Sequence, residues 1–435
     1  MKTKTLKRDK VNIITLGCSK NMVDSEVIGG QLFANDIQVV HESTKKDHNI
    51  VIINTCGFID KAKEESVNTI LHQVERKKSG KIDKVYVTGC LSERYKNNLE
   101  QEIPEVDAYF GTFELPQILK KFEINYQAEL VGERMLSTPS HYAYLKISEG
   151  CNRTCSFCAI PLMRGSHISK PIDQLVAEAK LLVKKGVKEI MLIAQELTYY
   201  GLDIYKKREL PRLLHALADI EGLVWIRLHY AYPSKFPLEI LDVIKERDNI
   251  CNYLDMPLQH ASDRMLHAMR RQITNAEMEE LIFTIREKIP GICLRTTLIA
   301  GFPGETQDDI EEMKLFLQKH RFDRVGIFSY SHEEGTSGYA LIDDVPVDEK
   351  ERRAQEIMEV QQQISYEKNQ EKIGKILKVI IDKKESGRYT GRTEFDSVEV
   401  DNEVIIADTE KLIIGNFADV LITGAFDYDL EGMIV

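Results

Sequence analysis

Apolar residues in this chain gather into short unbroken runs, each followed by a stretch in which they recur at helical spacing. Val11–Leu16, Ile50–Ile53 and Val85–Val87 are runs of the kind carried by a strand buried on both faces. Val23–Phe33, Lys61–Lys77 and Ser92–Leu99 follow them with helical patterns, so strand then helix repeats three times. Repeated βα units build a parallel sheet. Residues 10–122 are therefore read as a Rossmann-like parallel-sheet domain. Residues 123–140 have no sustained period and contain Ser137-Thr138-Pro139-Ser140, which marks a connector.

The alternation then resumes over residues 141–346. Strand patterns at Tyr142–Ile147, Glu189–Ala194, Val224–His229, Tyr253–Pro257, Ile292–Ile299 and Val325–Ser329 enclose helical ones at Pro171–Lys185, Leu238–Glu246, Asn275–Lys288 and Asp308–Lys319. Six such strands predict a (β/α)6 partial TIM barrel, with chemistry at the carboxyl ends of the strands. Residues 347–372 are charged and rich in glutamine, and Ile357, Val360 and Ile364 give them the apolar stripe of a bridging helix. From residue 373 the period changes to short β segments broken by glycines: Ile376–Ile381, Tyr389–Thr393, Val398–Ala407, Ala418–Phe426 and Leu430–Val435. This predicts a small five-stranded antiparallel barrel over 373–435.

Composition narrows the setting. With 43% hydrophobic and 29% charged residues, the chain is of the ordinary globular kind. Its first ten residues, MKTKTLKRDK, are polar, so neither a secretory signal nor a membrane span is expected there, and no membrane role. Eight cysteines, six of them in two sets of three, suit a reducing cytoplasm better than a disulfide framework. The other two, Cys251 and Cys293, lie beside apolar residues and read as core side chains. A net charge of −11 speaks against a chain devoted to gripping phosphate and favours a basic partner.

Cys151, Cys155 and Cys158 form C-x3-C-x2-C in the run KISEGCNRTCSFCAIP. Three thiolates this close can hold three corners of a [4Fe–4S] cluster and leave the fourth iron open, whereas ferredoxin sites give every iron a cysteine. A zinc knuckle would ask for four protein ligands, commonly in C-x2-C pairs. Cys18, Cys56 and Cys90 each follow one of the first three apolar runs. Ligand sites in parallel sheets collect beyond the carboxyl ends of the strands, so these thiols are expected to converge on a second cluster. Gly17, Gly57 and Gly89 adjoin them, which lets backbone approach a bulky inorganic body. The plainer alternative is three unrelated core thiols.

The C-x3-C-x2-C motif resembles that of the radical S-adenosylmethionine (SAM) enzymes, in which SAM chelates the open iron and one electron cleaves it to a 5′-deoxyadenosyl radical. Three strand ends are equipped to hold SAM on that reading. Gln195 and Glu196 can meet its amino group, and Arg227 its carboxylate or ribose. Ile299 and Gly301, within the run TLIAGFPGET, can lie near the adenine. Phe157 can shield the cluster or stack near adenine, while Gln259 and His260 end the fourth strand and can face the reaction cavity.

Over nearly its whole length the chain is similar to the radical SAM methylthiotransferases, which join a three-cysteine amino-terminal domain, a radical SAM partial barrel and a TRAM β-barrel. Thr15-Leu16-Gly17-Cys18-Ser19-Lys20-Asn21, then Val23-Asp24-Ser25-Glu26, and Asn54-Thr55-Cys56-Gly57-Phe58-Ile59-Asp60, resemble the RimO branch. That resemblance implies two [4Fe–4S] clusters and SAM as cofactors. It also implies methylthiolation of the β-carbon of an aspartate in small-subunit ribosomal protein twelve, with an electron donor such as flavodoxin or ferredoxin. One SAM would donate methyl to sulfur held at the auxiliary cluster, and a second would supply the radical. The alternatives are tRNA adenosine methylthiolation by the MiaB branch and a two-cluster electron-transfer protein without catalysis. Residues 371–435 carry 14 acidic and 8 basic side chains. Glu399, Asp401 and Glu403, aligned on one face of a predicted strand near Glu394 and Asp396, are expected to dock a basic protein rather than RNA, the plainer alternative being a solvated edge that discourages strand pairing.

Overall fold

The computed structural model describes residues 9–45, 47–127, 132–407 and 411–435. Residues 1–8 of the polar amino terminus and 128–131 of the expected connector lie outside the described residues. The first domain is a five-stranded parallel sheet in the order β2-β1-β3-β4-β5, built from β1 (Lys10–Thr15), β2 (Gln38–His41), β3 (Ile50–Thr55), β4 (Lys84–Gly89) and β5 (Ala108–Tyr109). Helices α1 (Ser19–Phe33), α2 (Asp60–Lys78), α3 (Cys90–Glu102) and α4 (Leu115–Lys120) connect and cover it. Every residue of β3 is buried, as its unbroken apolar run requires in a sheet covered on both faces. The short edge strands β2 and β5 carry too little pattern to be read from the sequence alone.

The second domain is a six-stranded parallel sheet in the order of a partial barrel: β6 (Tyr142–Lys146), β9 (Glu189–Ile193), β10 (Trp225–Leu228), β11 (Ile250–Asp255), β12 (Cys293–Ala300) and β13 (Arg324–Ser329). A two-residue ribbon, β7 (Ser148–Glu149) with β8 (Ile168–Ser169), flanks the cysteine loop. Helices α5 (Ile160–Arg164), α6 (Ile172–Lys184), α7 (Leu210–Ala218), α8 (Glu239–Glu246), α9 (Asp263–Ala268), α10 (Asn275–Lys288) and α11 (Gln307–His320) complete the βα units. Outward strand residues such as Ile190, Leu192, Ile226, Leu228 and Leu254 pack on the helices in one large core. That core takes in Ile357 and Ile364 of α12 (Val347–Gln370), the bridging helix.

The third domain closes as a barrel of β14 (Ile376–Glu385), β15 (Arg388–Thr393), β16 (Val404–Ala407), β18 (Leu430–Ile434) and β17 (Phe417–Ala425), antiparallel except for the pair β16–β18. Here the structure corrects the reading of the acidic stretch. Residues 394–403 form a loop, not the start of a strand, and the loop enters the partial barrel. Asp396 pairs with Arg324 and Asp401 with Arg295; Tyr253 donates to Asp401 at 2.7 Å, and Asn252 donates its backbone N–H to Glu394 at 3.1 Å. Asp401 is therefore inward-facing and is not aligned with Glu399 and Glu403 on an open face. Burial of its neighbours explains the difference: the inner barrel face presents arginines, and a buried guanidinium needs a carboxylate partner.

The same loop corrects Arg227. Its side chain is fully buried, pairs with Glu189 at 2.9 Å and donates to the carbonyls of Thr393 and Glu394. It docks the third domain and is not brought to the cysteine loop.

All three domains meet in one apolar cluster, made of Val23 from α1, Tyr142, Tyr144, Met191 and Ile193 from the inner barrel face, and Val398 from the loop of the third domain. On the far side of the barrel, Glu333, just beyond β13, pairs with Lys63 and Arg94 of the first domain. The first domain thus bridges both ends of the partial barrel.

Candidate functional site

Three strand-to-helix turns set the first cysteine group. Gly17 (φ +90°) and Gly89 (φ +99°) adopt the left-handed region that favours glycine. A Cβ on Gly17 would lie 2.6 Å from Cys56 Cβ and 2.7 Å from its Sγ, so the Cys18 turn presses directly on Cys56. A Cβ on Gly57 would meet the backbone of Cys90 and Leu91 at 2.8–3.0 Å, which joins the second and third turns as closely. Cys18 is exposed, Cys56 and Cys90 buried. Burial, aided by the neighbouring Cys18 and Cys90, pushes the Cys56 thiol up to about 12. Burial likewise raises Cys90, although Arg164 beside it pulls the other way.

The second group lies on the loop between β7 and α5. The Arg153 backbone N–H points at Cys151 Sγ (3.4 Å), Arg271 donates to Cys155 Sγ (3.2 Å), and the Tyr232 hydroxyl is 3.5 Å from Cys155 Sγ. The Arg153 guanidinium is held by Glu196 and stacks on the rings of Tyr199 and Tyr232, about 4 Å from each. Burial pushes Cys151 up to about 11 and Cys158 up to about 12. Among the described residues no three ligating side chains converge tightly enough for a single metal ion. Two sets of three thiols surrounded by N–H donors and guanidinium groups fit anionic polynuclear clusters instead.

The two cysteine-bearing segments touch. Cys90 packs against Ala159, next to Cys158, and against Met163, five residues after it. Arg164, at the end of α5, reaches the first domain with Nε 3.2 Å from Cys90 Sγ, and bonds Asp24, Glu149 and Asn21. Lys146 joins Asp24 and Glu149, and Gln195 donates to Glu149. Burial alone would raise the Glu149 carboxyl, but Lys146 and Arg164 hold it down at about 2.

The other sequence candidates divide. Phe157 and Ile299 come together in an apolar cluster with Phe302, Tyr330, Met265 and Met269. Gln259, at φ +80°, bonds through its backbone to Thr297 and Ile299. The side-chain oxygens of Gln195 and Gln259 are buried with no partner among the described residues, which leaves two acceptors for a donor such as the ammonium group of SAM. Glu196 is committed to Arg153 and the Thr198 N–H. Gly301 is in the left-handed region (φ +83°), but the space its missing Cβ leaves is filled by the stem of Lys350 from α12 rather than left open for adenine. His260 Nδ1 accepts the backbone N–H groups of Ala261 and Ser262, so its proton sits on Nε2 toward Glu305. It is a structural residue of that strand end.

Residues 145–317 match the Radical SAM superfamily, residues 10–111 the Uncharacterized protein family UPF0004, and residues 373–435 the TRAM domain. Along its length the chain is 59% identical to a protein of Flavobacterium johnsoniae named ribosomal protein uS12 methylthiotransferase RimO, over 99% of both chains. It is 58% identical to a protein of the same name from Cytophaga hutchinsonii, over 100% of both. The chain belongs to the RimO family of radical SAM methylthiotransferases. Among solved structures, the radical SAM methyltransferase TsrM of Kitasatospora setae matches 74% of this chain and 72% of its own at a TM-score of 0.55 and 14% identity, a likeness of fold. The cobalamin-dependent SAM radical enzyme OxsB covers 80% of this chain and 56% of its own at a TM-score of 0.54.

In this RimO-family chain, the residues that the sequence reading passed over are Asn21, Asp24, Glu149, Arg153, Arg164 and Arg271. Five of the six lie within runs quoted for their cysteines or on either side of them, and only their three-dimensional convergence marks them. The raised thiols lead to a pH prediction. In cluster-free protein, alkylation of Cys56 and Cys158 should be slow at pH 8 and climb as pH approaches about 12, while exposed Cys18 reacts first. Peptide mapping after timed iodoacetamide treatment reads this order, and equal rates at pH 8 would contradict it.

Proposed function

We propose that the chain methylthiolates the β-carbon of an aspartate in ribosomal protein uS12, using SAM and two [4Fe–4S] clusters, one on Cys151, Cys155 and Cys158 and an auxiliary one on Cys18, Cys56 and Cys90. The observation that supports this reading is the packing of Cys90 against Ala159 and Met163, which brings the segment after Cys158 against the third cysteine turn of the first domain. Full-length relatives at 58–59% identity, named for that substrate, support the target. Held by these two cysteine triads, the clusters together with SAM would supply the methyl group, a seat for the sulfur and the radical that opens the substrate C–H bond.

The chain's own residues bind, orient and exclude water. Phe157, Ile299, Phe302 and Tyr330 pack into one apolar cluster beside the cysteine loop. The free oxygens of Gln195 and Gln259 would accept the SAM ammonium. Glu196 and the rings of Tyr199 and Tyr232 fix Arg153. No helix among the described residues is long and apolar enough to cross a membrane; we place the reaction in the cytoplasm, with flavodoxin or ferredoxin as reductant.

The test is anaerobic incubation of reconstituted protein with SAM, reductant and either ribosomal small subunits or tRNA, followed by mass spectrometry. A methylthio group on an aspartate of uS12 and none on tRNA is the expected result. Modification of tRNA adenosine alone would transfer the assignment to the MiaB-type reaction.

A further inference from the structure

Arg164 is the residue whose commitments the reaction does not by itself explain. It ends α5, six residues after Cys158, yet its guanidinium lies in the other domain's cysteine group with its side chain only 3% exposed. Nη1 donates to Asp24 at 2.7 Å and to Glu149 at 3.2 Å, and Nη2 donates to Asn21. These partners hold the planar fork on two sides. The remaining edge aims Nε–H at Cys90 Sγ, 3.2 Å away. A lysine could balance the same carboxylates but has no rigid fork to fix a separate donor on the sulfur.

Resting on the two-cluster reading above, we propose that Arg164 is a positioning residue of the auxiliary site, donating to the Cys90 sulfur from the barrel side and raising the reduction potential of the cluster held there. Hydrogen bonds to ligand sulfurs and nearby positive charge favour the more negative, reduced state. The surroundings make the charge count. Lys146 and Arg164 together balance Asp24 and Glu149, so removal of the guanidinium leaves one net negative charge beside Cys90. The same side chain ties the SAM-side loop to the auxiliary group, because its backbone belongs to one and its donors to the other.

The experiment uses the full chain with Cys151, Cys155 and Cys158 replaced by alanine, so that only the auxiliary cluster titrates. In that background Arg164→Gln should lower the midpoint potential by at least a tenfold change in the reduced-to-oxidised ratio at fixed potential, 59 mV for one electron. Arg164→Lys, which keeps the charge opposite Asp24 and Glu149 and guards against failure to fold, should shift it less and in the same direction. Potentials unchanged in both variants, with about four irons retained, would overturn the role of Arg164 and leave the two-cluster reading standing. A parent background that binds no iron would sink the two-cluster reading and this proposal with it.

Discussion

Replacing Cys151, Cys155 and Cys158 together with alanine should remove about four of about eight bound irons and abolish reductive cleavage of SAM, while the protein stays folded. Those three thiols share one loop, whereas Cys18, Cys56 and Cys90 are held at the strand-to-helix turns of the first domain. The complementary change, Cys18, Cys56 and Cys90 to alanine, should remove a similar amount of iron and all sulfur insertion yet leave some SAM cleavage. Iron assays and chromatography of 5′-deoxyadenosine read both variants. SAM cleavage surviving in the first variant would mean that the radical is made elsewhere.

The second large effect belongs to the third domain. Asp396 is 1% exposed at its side chain and pairs with Arg324, which is 5% exposed. Asp396→Ala would strand that guanidinium inside the barrel, and breaking a buried pair from one side costs about 3–5 kcal/mol. The lowest thermal transition should fall by several degrees. Glu399→Lys, on the exposed part of the same loop, should change stability by less than about 0.5 kcal/mol. Calorimetry of the two variants separates them, and equal transitions would mean that the loop does not hold the domains together.

Acid should act in the same place. Burial favours the neutral Asp396 carboxyl, but Arg324 and Lys372 outweigh it and hold the group below its ordinary 3.8. Its contribution is therefore complete above pH 3.8 and is lost as pH falls below that value, through the folded one.

This loop also changes what the charge of the third domain means. The sequence pattern reads Glu399, Asp401 and Glu403, near Glu394 and Asp396, as a docking face for a basic protein. Asp396 and Asp401, like Asp382 beside Arg392, are instead spent on internal arginines. The substrate reading rests on the full-length relatives, and these three carboxylates serve assembly.

Local pattern alone was enough to identify the three βα repeats, the six barrel strands, the bridging helix and four of the five C-terminal strands in place. The reason is that buried parallel strands are continuous apolar runs. The remaining strand, β16, is begun six residues early, at Val398 rather than Val404, because a loop that buries Val398 against another domain looks locally like a strand. Tertiary structure decided where the long polar side chains go. Arg227 sits at a strand end that could serve SAM, but its partners Glu189, Thr393 and Glu394 come from a neighbouring strand and from a domain more than 160 residues away. The same holds for Arg164, whose pairing with Asn21, Asp24 and Cys90 spans two domains. Periodicity reports which face of an element is buried; what a charged group meets on that face depends on segments remote in sequence, brought there by packing between domains.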